Sequence, residues 1–306
     1  MIKKSYATYN GKQTAELLDF PLLVEAIKQA SLERECGVIR SPERMVIPMN
    51  SSGVMLSMPA TANDISIHKL VNVNPANHSK ALPTIHGQVA VFDSTTGVPL
   101  LMLDGPEVTG RRTAAVSMVA LQTFLPQAPS TILMIGSGVQ ALYHLRAINA
   151  LFPKAAVWIK GQSQGAAISF CSTHREIHPH LQPWTDDAHD CVDAVITLTT
   201  STSPVYDKPA VKGRLIIGVG AFKPEMAEIG QNTLTGSDVY VDDLAGARHE
   251  AGDLIQAGVD WNTVLSLASV LEKGGDFKRP VVFKSVGSAA WDLAACRVAL
   301  SQLAAV

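Results

Sequence analysis

The chain has 306 residues, of which 47 % are hydrophobic and 17 % are charged, and its formal net charge is −2. This length can form two domains with a substantial core, and the near-neutral charge disfavours a nucleic-acid-binding protein, which normally carries a basic excess. The four cysteines show no CxxC spacing, so we expect neither a zinc site nor a disulfide framework.

We expect neither a secretory signal peptide nor a membrane span in this sequence. The lysines at positions 3 and 4 are not followed by an apolar segment, as they would be in a secretory signal peptide. No uncharged apolar run reaches the ~20 residues that span a bilayer. We therefore expect a cytoplasmic protein that makes no contact with a membrane.

The first third of the chain is predicted to contain one amphipathic helix, a series of short strands and a second, long helix. Apolar residues recur at helical spacing from Pro21 to Glu35, and a helix is also predicted over Pro106–Leu125. Five extended stretches lie between them: Met45–Pro48, Val54–Met58, His68–Val73, Gly87–Phe92 and Leu100–Leu103. The turn sequences NSSG, NPAN and DSTTG separate these stretches and favour antiparallel pairing.

The middle of the chain alternates apolar strands with helices. Thr131–Ile135 and Ala155–Ile159 are predicted strands that flank a helix over Val139–Leu151. Further buried strands are predicted at Ala194–Leu198, Arg214–Val219 and Asp238–Val241. Such alternation indicates a parallel, doubly wound sheet. The predicted fold class is α/β, with a Rossmann dinucleotide-binding domain over 116–288. An α+β substrate and dimerisation domain with a mainly antiparallel sheet is predicted over 1–115, completed by a carboxy-terminal helix, about 289–306.

A glycine-containing turn joins the first of these strands to its helix. In it, Gly136 permits a tight turn, Gly138 lets a pyrophosphate approach the backbone, and Ala141 allows close packing of helix on strand. Phosphates would then meet the positive end of the helix. We therefore expect a nicotinamide dinucleotide to be bound by Gly136, Ser137, Gly138, Val139 and Gln140.

The end of the second predicted strand indicates which dinucleotide is bound. An NAD site usually places a carboxylate there for the ribose hydroxyls, but none occurs between Lys154 and Arg175. Lys160, Gln162 and Ser163 can instead donate hydrogen bonds to a 2′-phosphate. These residues predict NADPH as cofactor, with NADH still possible.

Six segments, in this order, carry a resemblance that covers nearly the whole chain: SPERMVIPM (41–49), HKLVNVNPAN (68–77), PTIHGQVAVFD (83–93), EVTGRRTAAVSMVA (107–120), MIGSGVQA (134–141) and FKSVGSAAWD (283–292). With these motifs the chain resembles the ornithine cyclodeaminase/μ-crystallin family. The resemblance implies a substrate and dimerisation domain, a Rossmann domain and a carboxy-terminal helix that returns to the first domain. It also implies a homodimer whose amino-terminal sheets join into a closed barrel.

The same resemblance implies roles for individual residues. Lys69 and Arg112 would be catalytic, and the substrate would be bound by Arg44, Lys69, Thr84 and Arg112. The chemistry agrees, because a guanidinium group can hold an α-carboxylate through two parallel hydrogen bonds. On the cofactor side, the resemblance places Thr197, Thr199 and Ser201 along the nicotinamide-side phosphate and ribose, and Val219 to Ala221 near the nicotinamide ring.

One departure from the cyclodeaminase pattern changes the expected reaction. In ornithine cyclodeaminases the strand matching Leu215–Val219 leads to a glycine and then an Asp that handles the substrate amine. This chain has Gly220, Ala221 and Phe222 there, which resembles the ketimine reductase branch. The resemblance then implies NAD(P)H-dependent reduction of cyclic ketimine carboxylates: Δ1-pyrroline-2-carboxylate to L-proline and Δ1-piperideine-2-carboxylate to L-pipecolate.

Three alternatives stay open at this point. The same scaffold supports an ornithine cyclodeaminase and an alanine or N-alkyl amino acid dehydrogenase. A μ-crystallin-like protein that binds a small ligand without turning it over is the non-enzymatic alternative. The sequence does not identify the proton donor of the reaction.

Overall fold

The computed structural model describes residues 6–49, 53–185, 191–275 and 277–305, with only the backbone of His78. The chain divides into two compact units. The first unit comprises Met1–Arg112 and Ser288–Val306, and the second unit comprises Thr113–Gly287. No helix in the described ranges is both long and apolar enough to cross a membrane.

The elements up to residue 124 are β1 (Ala7–Thr8), α1 (Gly11–Leu17), α2 (Phe20–Glu35), β2 (Met45–Pro48), β3 (Val54–Thr61), β4 (Ile65–Val73), a 3₁₀ helix (Pro75–Lys80), β5 (Ile85–Asp93), β6 (Pro99–Asp104) and α3 (Gly105–Phe124). The remaining elements are β7 (Thr131–Ile135), α4 (Val139–Leu151), β8 (Ala156–Lys160), α5 (Gln164–His174), β9 (Leu181–Pro183), β10 (Ala194–Thr197), β11 (Leu215–Gly218), α6 (Gln231–Thr235), β12 (Asp238–Val241), α7 (Leu244–Glu250), α8 (Gly252–Gln256), β13 (Leu265–Ser266), α9 (Leu267–Lys273), β14 (Val281–Lys284) and α10 (Ala289–Ala304).

The first unit is built on a six-stranded sheet in the order β1-β6-β5-β4-β3-β2. All the described pairings of this sheet are antiparallel except that of β1 with β6. Helix α10 packs against α2 and against β3 and β4. In β4 the alternation of a strand places Ile65, Ile67, Lys69 and Val71 on the buried face. A lysine therefore lies in a row of aliphatic side chains, on a strand that packs against α10.

The second unit contains an eight-stranded sheet in the order β13-β12-β14-β11-β10-β7-β8-β9, and every described pairing in it is parallel. Its central strands are mainly apolar, as expected for a sheet covered on both faces. In register, Ile135 of β7 pairs with Thr197 of β10, which pairs with Gly218 of β11. The segments that follow these three strands therefore emerge side by side at the carboxyl edge, where open α/β sheets bind ligands.

The predicted fold class is confirmed, and several element bounds agree with the structure. Three elements lie where they were predicted: strand Thr131–Ile135, helix Val139–Leu151 and strand Asp238–Val241. The strand predicted over His68–Val73 is longer in the structure, where it spans Ile65–Val73, because the aliphatic alternation begins at Ile65. Helix α5, strand β14 and the short helices α6 to α9 were not predicted. Most of these are too short for a clear helical periodicity.

Candidate active site

Three ionisable side chains meet inside the first unit. Lys69 Nζ donates to both oxygens of the Asp292 carboxylate, at 3.0 Å to Oδ1 and 2.8 Å to Oδ2. Arg112 Nε donates to Asp292 Oδ1 at 3.1 Å. Only 2 % of Lys69, 6 % of Arg112 and 0 % of Asp292 is exposed. We refer to Lys69, Arg112 and Asp292 as the buried cluster.

Each member of the buried cluster is held by a regular element. Lys69 lies in the middle of β4, between Met58 on β3 and Val89 on β5. Arg112 lies on α3, and Asp292 lies in the first turn of α10. Ser288 begins α10 by accepting a hydrogen bond from the Ala290 amide, and a carboxylate in a first helical turn is favoured by the helix dipole.

Burial and neighbouring charges lower the pKa of Lys69 from 10.5 to about 8. Loss of hydration is the main cause, because an ammonium group is poorly solvated between aliphatic side chains. Asp292 opposes this shift, whereas the positive charges of Arg112 and Arg44 lower the pKa further. The electrostatic effect of Arg44, which is half-buried, places it near Lys69. The amine of Lys69 can therefore exchange a proton near neutral pH.

Among the four predicted substrate residues, Lys69 and Arg112 share Asp292, and Arg44 acts on Lys69 electrostatically. Thr84 differs. It is exposed and precedes β5, and its carbonyl oxygen accepts from the Asn74 amide at 2.8 Å. Within the described ranges, no hydrogen bond joins its hydroxyl to the buried cluster.

The glycine turn of the second unit has the geometry that a dinucleotide needs. Gly136 has φ +124°, and a Cβ there would lie 2.7 Å from the carbonyl oxygen of Leu198, so only glycine fits. Gly138 precedes α4 without a side-chain hydrogen bond to the helix, and the space beside it is open. Among the described residues, no side chain therefore caps the first amides of α4, which suits a pyrophosphate. Val139, at the first position of α4, is exposed.

The predicted 2′-phosphate residues lie next to this turn. The Gly136 amide donates to the carbonyl oxygen of Lys160 at 2.8 Å, which ties the end of β8 to the turn. Lys160, Gln162 and Ser163 are exposed. Ser163 Oγ caps α5 by accepting from the Ala166 amide at 3.2 Å, and its own hydroxyl proton stays available. These residues fit an NAD(P) group at this edge of the sheet.

Sequence reasoning missed a buried carboxylate that joins the loops after β10 and β11. Glu228 is fully buried and accepts from Thr197 Oγ1 at 3.0 Å and from the amide and hydroxyl of Thr199 at 2.5 Å and 2.8 Å. It also accepts from the amides of Gly220 and Ala221 at 2.6 Å and 3.1 Å. The hydroxyl protons of both threonines thus point to Glu228.

Two further residues predicted at the cofactor, Val219 and Ser201, are close to this network. Val219 is nearly buried, and its amide donates to the carbonyl oxygen of Thr197 at 3.1 Å. Ser201 donates its hydroxyl to the Ser203 carbonyl oxygen at 2.6 Å. Gln140, by contrast, follows the glycine turn, and its Oε1 is buried with no hydrogen-bond partner among the residues that the structure describes. An acceptor left unsatisfied in this way can be used by a ligand.

Asp292 was also missed, although the sequence carries a signal for it. It is the one carboxylate in α10, a helix that is otherwise rich in alanine and aliphatic residues. A single acid in such a helix is costly to bury unless a cation accompanies it. Its partners lie 180 and 223 residues earlier in the chain, so helical periodicity alone could not identify them.

A parallel sheet with a glycine turn at its carboxyl edge defines a Rossmann-type dinucleotide-binding protein, here with an additional α+β unit. The chain belongs to the ornithine cyclodeaminase/mu-crystallin family, whose model matches residues 10–305. The resemblance stated from the motifs is thereby confirmed.

Two bacterial relatives are similar over nearly the whole chain. The Δ1-pyrroline-2-carboxylate/Δ1-piperideine-2-carboxylate reductase of Azospirillum brasilense is 52 % identical over 300 residues, covering 97 % of this chain and 96 % of the relative. Δ1-Pyrroline-2-carboxylate reductase 2 of Burkholderia ambifaria is 50 % identical over 296 residues, covering 96 % and 95 %. Among solved structures, the Thermococcus litoralis Δ1-pyrroline-2-carboxylate reductase in complex with NADH and L-proline has a TM-score of 0.87 at 24 % identity, covering 97 % of each chain. That likeness supports the fold.

Proposed function

We propose that this protein uses NAD(P)H to reduce the C=N bond of cyclic ketimine carboxylates. The substrates would be Δ1-pyrroline-2-carboxylate and Δ1-piperideine-2-carboxylate, and the products L-proline and L-pipecolate. One observation carries the proposal: a lysine that can exchange a proton and an arginine that can bind a carboxylate share one buried aspartate. The identity of about one half to reductases of these compounds supports the choice of substrate.

Arg112 is suited to bind the substrate carboxylate. Asp292 uses Nε of the guanidinium group, so the two Nη atoms remain as a pair of parallel donors. Such a pair matches the two oxygens of a carboxylate. Burial of Arg112 strengthens this interaction, because less water competes for the donors. Arg44, which acts electrostatically on the same cluster, would add to the attraction for an anion.

Lys69 is suited to donate a proton to the imine nitrogen. Reduction of an imine is easier once the nitrogen carries a proton, since the carbon then becomes more electrophilic. With a pKa of about 8, Lys69 is mostly protonated at neutral pH, yet it gives up its proton far more readily than an exposed lysine. The ring nitrogen takes this proton, and Lys69 is protonated again before the next turnover. Overall, ketimine carboxylate, NAD(P)H and one proton give the amino acid and NAD(P)⁺.

The second unit would hold the cofactor, which when bound supplies the hydride. Gly136 to Gln140 would contact the pyrophosphate at the start of α4, and Glu228 would hold the loops after β10 and β11 in place. The end of β8 and the residues after it favour NADPH over NADH. Hydrogen-bond donors for a 2′-phosphate are present there, and no carboxylate that would repel it, at Lys160, Gln162 and Ser163.

Ornithine cyclodeamination is the enzymatic alternative with the least support. Its carboxylate base would follow Gly220, where this chain has Ala221 and Phe222. Ala221 is fully buried and its amide binds Glu228, so a methyl group rather than a base projects from that position.

We also propose a homodimer that acts in the cytoplasm. Strand β2 lies at the edge of the first unit's sheet, and all four of its residues are exposed. Met45 and Val46 are 60 % and 53 % exposed, and an apolar edge strand of this kind is expected to be covered by a partner. A Val46→Lys variant should shift a dimer towards monomer in light scattering. The four unpaired cysteines agree with a reducing compartment.

Consumption of NADPH with a panel of substrates tests the proposed activity. The panel contains the two cyclic ketimine carboxylates, pyruvate with ammonia, and pyruvate with methylamine, and NAD⁺ with ornithine tests the reverse type of reaction. We expect rapid oxidation with the cyclic ketimines and little with the others. Faster turnover of pyruvate with an amine would assign the protein to the alanine or N-alkyl amino acid dehydrogenases. Failure with every compound would favour a binding protein.

A further inference from the structure

We infer that Asp292 is a positioning residue, which keeps Lys69 protonated as the proton donor and fixes the orientation of Arg112 for binding a substrate carboxylate. This inference rests on the proposed function and adds a residue that the sequence motifs did not assign. Asp292 would act through Lys69 and Arg112 and would not itself touch the substrate.

The geometry of the carboxylate carries the inference. Both oxygens of Asp292 accept from Lys69, at 3.0 Å and 2.8 Å, and Oδ1 also accepts from Arg112 at 3.1 Å. One rigid group therefore determines where both cationic side chains lie. Because Asp292 is on α10 whereas Lys69 is on β4 and Arg112 on α3, the carboxy-terminal helix completes a site whose other members come from the first part of the chain.

Charge balance indicates why a carboxylate is needed here. Lys69 and Arg112 carry two positive charges, and Asp292 leaves a net charge of +1. A substrate with one carboxylate then makes the group neutral. Without Asp292, two cations would share one buried region, and Lys69, the weaker base, would lose its proton, because an arginine stays charged in proteins. The net charge would still be +1, but no proton would remain on Lys69 for the imine nitrogen.

A purely structural ion pair is the competing explanation, and α10 contains one for comparison. Arg297, one and a half turns after Asp292, pairs with Asp64 at 2.8 Å and with Glu33 at 2.6 Å. The side chains of this ion pair are partly exposed and, like the buried cluster, join α10 to the rest of the first unit. By contrast, the buried cluster is almost wholly removed from water. Since fully buried ion pairs are seldom more stabilising than apolar packing, stability alone does not account for it.

The charged and titratable groups around Lys69 come from three directions. Helix α10 contributes Asp292 and Cys296, whose thiol has a pKa raised by burial and so stays neutral. Helix α3 contributes Arg112, and the segment before β2 contributes Arg44. The cross-strand neighbours on β3 and β5 are apolar. Asp292 is thus the group that favours the charged form of Lys69.

Asp292→Asn tests the inference. The matched control is Asp64→Asn, which removes a carboxylate that pairs with Arg297, another residue of α10. In the wild type, the rate of ketimine reduction should fall as pH rises through about 8, when Lys69 loses its proton. Asp292→Asn keeps the shape of the side chain but removes its charge. The pH at which the rate falls should therefore be lower by about one unit or more than in the wild type. Asp292→Glu should restore part of the shift. Asp64→Asn should lower stability without moving the profile.

A second readout does not depend on activity. Protein labelled with ¹³C at lysine Cε gives the pKa of Lys69 by NMR titration, and a Lys69→Met variant assigns the signal. We expect a lower pKa in Asp292→Asn than in the wild type and an unchanged pKa in Asp64→Asn. An unchanged Lys69 pKa in folded Asp292→Asn would overturn the inference. If instead the pKa moves but the wild type reduces no ketimine, the proposed function fails and the electrostatic role of Asp292 stands.

Discussion

The buried ammonium group of Lys69 should make the stability of the first unit depend on pH in a way that a single substitution removes. Its pKa is 10.5 in the unfolded chain and about 8 in the folded one. Between these values the unfolded chain binds more protons, so the free energy of unfolding rises with pH across this window. Below pH 8 the buried charge costs about 3 kcal/mol, and above 10.5 this cost is absent.

Comparison with Lys69→Met isolates this contribution from the other titrating groups. Methionine has a similar length and no charge. Going from pH 7 to 9.5, the free energy of unfolding of the wild type should increase by about 2 kcal/mol more than that of Lys69→Met. Urea unfolding can be followed by ¹⁹F NMR of 5-fluorotryptophan, because Trp291 is the one tryptophan in the sequence of the first unit. A difference between the two proteins that does not change with pH would refute the reasoning.

Four further substitutions test individual parts of the account. Arg112→Ala should raise the KM for the ketimine about 30-fold or more with little change in the Kd for NADPH; a normal KM would remove Arg112 from the site. Gly136→Ala should weaken NADPH binding at least ~10-fold, because its φ of +124° is strained for alanine and the new methyl meets Leu198; this is measured by fluorescence titration, and unchanged affinity would contradict it. Lys160→Ala should weaken binding of NADPH but not NADH, by about tenfold; an equal effect on both would argue against a 2′-phosphate contact. Glu228→Gln should lower the unfolding free energy of the second unit by about 2 kcal/mol or more, since five donors lose a charged acceptor, and a calorimetric scan with no shift would contradict this.

The sequence was informative about structure wherever a local pattern determines it. The turn around Gly136 was predicted because glycine is required at a positive φ next to a neighbouring strand, and such a requirement is visible in the residue type itself. Strands β7 and β12 and helix α4 were predicted for similar reasons. Their apolar periodicity is local, and their ends coincide with turn residues.

Long-range contacts between buried polar side chains were the part that local patterns could not supply. The family resemblance pointed to Lys69 and Arg112, but their common partner Asp292 lies far along the chain in an apolar helix. Glu228 was missed for the same reason, because its five donors come from the end of β10 and from the loops after β10 and β11, which only the parallel register of these strands brings together. Thr197 and Thr199 were expected at the cofactor, and the structure adds that their hydroxyl protons bind Glu228.

Transfer of deuterium from the cofactor to the product tests the central claim most directly. NADPH that carries deuterium at the transferred position of C4 is incubated with the protein and Δ1-pyrroline-2-carboxylate, and the product is examined by mass spectrometry. We predict L-proline that contains one deuterium atom, at C2, formed in proportion to the NADPH consumed. If no NADPH is consumed, or if the proline formed contains no deuterium, the protein does not reduce this imine by hydride transfer, and the account is wrong.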